Sequence, residues 1–122
     1  MKTVYRVEDK NNQYGPYWKN LNYSDMFPSL ERHSRYNQRP GWLSGFKQSE
    51  LWDFREDAED NNQECVSGFA NIRDVYKWFG GLIPQFYKKS KLRIVKYTVK
   101  DEDVLTSTLG NQIIFRRPKK QI

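Results

Sequence analysis

Residues 2 to 8, KTVYRVE, alternate between two faces, with Tyr5 and Val7 on one and Val4, Arg6 and Glu8 on the other. A two-residue period rich in β-branched and aromatic side chains predicts a strand. Asp9-Lys10-Asn11-Asn12 ends it with turn chemistry, and Gly15-Pro16 bends the chain between Tyr14, Tyr17 and Trp18. The same period returns over 92 to 99, LRIVKYTV, where Val95, Tyr97 and Val99 oppose Leu92, Ile94 and Lys96. Asp101-Glu102-Asp103 breaks that run. Val104 to Thr108 and Gln112 to Arg116 predict two more strands, joined by a turn at Leu109-Gly110-Asn111.

The period changes between the chain ends. Over 71 to 79, Ile72, Val75, Tyr76 and Phe79 fall at i, i+3, i+4 and i+7, which predicts a helix burying one continuous stripe. Asn71 supplies the N-cap, Asp74 stands at the third helical position, and Gly80-Gly81 supplies the stop. Pro84 opens a further short turn through Gln85, Phe86 and Tyr87. Leu51 and Phe54 predict a short helix over 48 to 56, and Glu56 to Glu64 reads as an exposed acidic loop. Residues 20 to 47 show no sustained period, yet hold Phe27, His33, Tyr36, Trp42 and Phe46 among Pro, Gly, Ser and Asn. A loop this aromatic either wraps the domain or forms a binding surface.

Strands at both chain ends with a helix between them predict an α+β fold. An antiparallel sheet packs against one main helix at about 71–79, with a long aromatic loop region. The 122 residues form a single domain, 1–122. Composition sharpens this picture. Aromatic residues number 19, nearly as many as Val, Ile and Leu together, so rings must supply much of the core volume. Cys65 and His33 are single copies, which excludes a disulfide framework and a zinc cluster; no metal or cofactor is expected. No apolar run approaches membrane-spanning length and the N-terminus lacks a secretory block, so the expected setting is a reducing cytoplasm without membrane contact.

The net charge of +6 hides a stronger asymmetry. Residues 48 to 64 carry seven acids and one base; the remainder holds 20 bases against 8 acids. Lys88, Lys89, Lys91, Arg93, Lys96 and Lys100 lie in a stretch without acids, Arg116, Arg117, Lys119 and Lys120 close the chain, and Arg32, Arg35 and Arg39 lie in the aromatic loop. Such a field attracts polyanions or a phosphorylated small molecule; the bland alternative is a solvated face and a frayed tail. Rings alternate with guanidinium groups at Arg32-His33-Ser34-Arg35-Tyr36 and at Arg39-Pro40-Gly41-Trp42. Stacking planes beside bidentate phosphate partners are what a nucleotide pocket needs. Arg6 inside a strand is either exposed beside Glu8 or held for a purpose, and Arg116 poses the same question. The chain has no Walker-type loop and no G-x-G-x-x-G, and no catalytic pair is oriented by a third group. No enzyme activity is expected.

Tyr5-Arg6-Val7-Glu8 and Gly15-Pro16-Tyr17, followed by Gly68-Phe69, Val75-Tyr76-Lys77-Trp78-Phe79, Ile94 to Val99 and Gln112-Ile113-Ile114-Phe115, resemble small phage and prophage proteins. The pattern covers both chain ends and omits residues 20 to 64. It is similar to the first family of Thoeris anti-defence proteins. That resemblance implies a homo-oligomeric sponge in the host bacterial cytoplasm, holding cyclic ADP-ribose-type signals without cleaving them. A ligand of that class needs a stacking ring, arginines for the pyrophosphate and an amide to read the base. The candidates are Tyr5, Trp18, Trp42 and Phe69 for stacking, Arg6, Arg39, Arg116 and Arg117 for phosphate, and Asn111 and Gln112 for the base. The alternatives are a nucleic-acid binder, a blocker of a host factor, or an ADP-ribosyltransferase-like enzyme. A strand bearing Tyr-Arg also opens that last fold, although its serine and glutamate continuation is missing here.

Overall fold

The alternation over the first residues builds β1 (Lys2–Asp9), an interior strand of the sheet. The computed structural model describes residues 1–16, 46–107 and 112–119. After β1 come α1 (Gln48–Asp60), β2 (Gln63–Phe69), α2 (Ile72–Phe79) and α3 (Leu82–Lys89). They are followed by β3 (Leu92–Val99), a 3₁₀ turn at Asp101–Asp103, β4 (Val104–Thr106) and β5 (Gln112–Pro118). The strands form one antiparallel sheet in the order β3-β1-β2-β5-β4. The α+β reading holds, with three helices in place of one main helix.

Register fixes which residues share a face. Tyr5 stands opposite Phe69 and Lys96, Val7 opposite Ile94, and Phe69 opposite Gln112. On this face Val7, Phe69 and Leu92 meet Val75, Phe79, Leu82, Ile83 and Phe86 from α2 and α3. Phe79 sits edge-on to Phe86 with ring centroids 5.6 Å apart. The same face continues to Ile114, which packs with Leu51 and Phe54 of α1. The opposite face carries Val4, Val99, Ile113 and Phe115, with Tyr97 tilted against Phe115 at 5.2 Å. Rings do supply much of the interior, as the aliphatic shortage requires.

The structure departs from the sequence reading in three places. First, α1 runs to Asp60, so residues 57–60 are helical and not an exposed loop. Ala58 is its third buried position, one turn beyond Phe54, and it anchors the acidic end against the sheet. Second, Gln63–Phe69 is a strand that the sequence concealed behind Glu, Ser and Gly. Gly68 is required there, because a Cβ would lie 2.7 Å from the Tyr5 carbonyl oxygen and 3.0 Å from the Phe115 ring. Third, α2 buries Val75, Phe79 and Asp74, while Ile72 and Tyr76 face solvent. The four-residue stripe therefore splits: Val75 and Phe79 join the core cluster, and Ile72 and Tyr76 do not. The predicted caps stand as read. Asn71 accepts a hydrogen bond from the Asp74 amide at 3.0 Å, and Gly80 has φ +52°. Ser90 closes α3 by donating to the Phe86 carbonyl at 2.7 Å and accepts from the Leu92 amide at 3.2 Å, which fixes the entry into β3. The aromatic segment 20–45 lies outside the described residues; Phe46 at its end packs against the α1 cluster.

Candidate functional site

β1 and β2 are joined at one register pair, Tyr5 with Phe69, beside which charged side chains occupy the sheet. Arg6 and Glu8, two apart in β1, project from the face opposite the helices. Arg6 donates from Nε to Glu8 at 3.1 Å and from Nη1 to the Ser67 carbonyl at 2.9 Å, so a guanidinium binds backbone of β2. Arg117 of β5 reaches the same carboxylate, with Nη1 2.6 Å from Glu8 Oε2. Its Nε lies 2.7 Å from Glu64 of β2, and its Nη2 donates to the Gln13 carbonyl at 3.2 Å. The Tyr97 hydroxyl accepts from Arg117 at 2.7 Å and donates to the other oxygen of Glu8. Gly15 lies against Arg6, where an added Cβ would stand 3.1 Å from Nη2.

Two arginines and two glutamates make this network electrically balanced. Burial, helped by the facing Arg117 cation, pulls the Arg6 guanidinium below its ordinary range, while Glu8 pushes the other way. Burial also opposes the Arg117 cation, but hydrogen bonds to Glu8 and Glu64 outweigh it and hold Arg117 above its ordinary range. Desolvation and the bond to Glu8 push the Tyr97 phenol up to about 12. The Cys65 thiol is pushed up to about 11, chiefly by burial, so both groups keep their protons at neutral pH.

Two further surfaces flank this network. On the side of β3, residues 75–100 contain no acid. Lys88, Lys89, Lys91, Lys96 and Lys100 are exposed there. Arg93 lies over the exposed Tyr87 ring at 4.6 Å, and the Tyr87 hydroxyl accepts from the Ile94 amide at 3.2 Å, capping the edge strand. Lys10 joins them through a hydrogen bond from its backbone amide to the Lys91 carbonyl at 2.9 Å. Beside α1 and the start of β2 lies a groove of about 510 Å³. Ala58 and Cys65 line it together with the carboxylates of Glu56, Glu59, Asp60 and Glu64, and Trp52 stands at it with Arg55 over its ring. Among the described residues no group of His, Cys, Asp and Glu could hold a metal ion, and no helix is long and apolar enough to cross a membrane.

The candidates from the sequence divide between the two faces. Tyr5, Phe69, Gln112 and Arg116 lie on the helix-covered face, and Arg6 and Arg117 on the other. Phe69 is buried in the core and Tyr5 packs half-buried against it. Arg116 binds Asp103 at 3.0 Å and the Glu102 carbonyl at 2.7 Å and lies over the Phe54 ring, tying α1 to the 3₁₀ turn. Arg6 is part-buried where exposure beside Glu8 was the simpler expectation, although the predicted partner is correct. Trp18, Arg39, Trp42 and Asn111 lie outside the described residues. Glu64, Tyr97 and Gln13 were not singled out. Tyr97 stood only as one face of a predicted strand, and Glu64 and Gln13 lay in stretches read as loop and turn, none of which says which distant strand they meet.

No curated protein and no solved structure matches the chain significantly. A family model described as Bacteriophage T4 Y00F protein matches residues 1–122. With the whole length matched, the chain belongs to this bacteriophage T4 Y00F family and is a phage protein.

Proposed function

We propose that this phage protein binds nucleic acid through the basic strip formed by α3 and β3, without chemical change to its ligand. The carrying observation is the run of exposed lysines from Lys88 to Lys100 with Tyr87 among them and no acid from 75 to 100. Each lysine also has ordinary structural work. Lys88 and Lys89 stand in the last turn of α3, where cations favour the helix dipole, and Lys91 and Lys96 guard an edge strand. Neither role requires the complete exclusion of carboxylates. From Lys91 to Lys100 the strip spans about 30 Å at roughly 3.3 Å per residue, room for several phosphates of a single strand.

Fluorescence anisotropy with a labelled single-stranded oligonucleotide tests this. The variant Lys88→Glu/Lys89→Glu/Lys91→Glu is expected to lose at least about tenfold in affinity, as each lost phosphate contact removes a counterion-release contribution. Equal affinity in both proteins would overturn the reading.

A second reading has one observation in its favour. Arg6 and Arg117, from opposite chain ends, converge on one carboxylate, and such a pair suits the pyrophosphate of a cyclic ADP-ribose-type signal held by an anti-defence sponge. A diphosphate would have to displace Glu8 and Glu64, however, and stranding a buried carboxylate costs about 3–5 kcal/mol. The lysine strip carries no such cost, which decides the order of the two readings. Thermal shift with cyclic ADP-ribose isomers separates them: a rise in Tm with those and none with oligonucleotides would reverse that order.

A further inference from the structure

We infer that two copies of the chain associate by seating the solvent face of α2 of one copy in the acidic groove beside α1 of the other. This inference is independent of the nucleic-acid reading, because it uses other residues.

The two surfaces are complementary in shape class and in charge. α2 presents two parallel ridges at i, i+4 spacing: Ile72 and Tyr76, exposed by 44% and 50%, and the cations Arg73 and Lys77. The only acid in α2, Asp74, is buried beneath them. Nothing in the interior needs Ile72 or Tyr76, since Val75 and Phe79 make the core contacts. The groove offers the reverse pattern. Glu56, Glu59, Asp60 and Glu64 supply carboxylates, and Trp52, 59% exposed, supplies an aromatic wall beside the small Ala58 and Cys65. Over its length α1 carries six carboxylates against one arginine.

Within the groove Glu64 is engaged by Arg117 and Glu59 by Lys119, so Glu56 and Asp60 are the partners best placed for incoming cations. An indole and a phenol with Ile72 then supply the apolar centre, and the charges supply the rim, the usual anatomy of a specific interface. Groove and ridge sit on different helices. One contact therefore leaves a groove and a ridge unsatisfied, and closure needs either a two-fold axis that repeats the contact or a ring.

The test is analytical ultracentrifugation of the full chain and of two charge-reversed variants, Arg73→Glu/Lys77→Glu and Glu56→Lys/Asp60→Lys. All four positions are exposed, and circular dichroism confirms that each variant is folded. The wild type is expected to self-associate with an affinity that falls as salt rises. Each variant alone should associate at least about tenfold more weakly. An equimolar mixture of the two should recover association, because the reversed ridge of one again meets the reversed groove of the other. A wild type that stays monomeric at low salt overturns the inference. So does self-association that both variants retain, or a mixture no tighter than either variant alone.

Discussion

Replacing Arg117 by methionine keeps the aliphatic stem and removes the guanidinium that ties β5 to β1 and β2. Glu8 is 3% exposed and receives Arg117 at 2.6 Å, Arg6 at 3.1 Å and the Tyr97 hydroxyl. Without Arg117 the carboxylate keeps one cation, and Glu64 and the Gln13 carbonyl lose their shared donor. Breaking a buried pair from one side costs about 3–5 kcal/mol. The surviving Arg6 contact places this case at about 3 kcal/mol. With a urea m-value of about 1.5 kcal/mol per molar, that loss lowers the unfolding midpoint by about 2 M. Equilibrium urea unfolding followed by circular dichroism gives the number. The double variant Glu8→Met/Arg117→Met removes both charges, so its cost should fall short of the summed single costs by about 1–3 kcal/mol. A single-variant loss below about 1 kcal/mol, the range of exposed pairs, or strictly additive costs, would refute the view that this network is buried and coupled.

Three further outcomes are expected. Gly68→Ala forces a methyl against the Tyr5 carbonyl and the Phe115 ring, and should cost about 1–3 kcal/mol, read as a lower Tm with faster amide exchange in β1 and β2. Asn71→Ala removes the cap on the Asp74 amide and should cost about 1 kcal/mol, with Asn71→Asp nearly neutral; thermal unfolding measures both. Tyr97 titrates at about 12 in the folded chain against an ordinary 10.0, so the folded state holds a proton that the unfolded state has released. Stability contributed by this group is complete below pH 10 and falls as pH rises toward 12. Urea unfolding across that window should show a shallower decline in Tyr97→Phe than in the wild type.

What the sequence disclosed, and what it did not, follows from the range of the interactions involved. β3, the α2 cap and the stop at Gly80 were legible because alternation, an Asx cap and a left-handed glycine are encoded within a few residues. β2 was hidden because Gln63, Glu64 and Ser67 are set by their partners in β5 and by Arg6 and Arg117, not by local propensity. The full length of α1 was hidden because its last turn is acidic at every position but Ala58, and a single small residue is a weak periodic signal. Among the candidate site residues, Arg6 was recognisable as unusual from its place in a strand. Its long-range partner Arg117 was also named from sequence, but nothing local indicates that the two share Glu8. Phe69 drew notice only as part of the resemblance and as a stacking ring; its burial follows from the close β1–β2 approach that Gly68 permits.

The most direct measurement of the functional claim is the slope of log affinity against log salt for a single-stranded oligonucleotide. Four or five lysine–phosphate contacts along the α3–β3 strip predict a linear fall with a slope of about −3, from roughly −0.7 per neutralised phosphate. Absence of binding at the lowest salt, or an affinity indifferent to salt, would contradict the account.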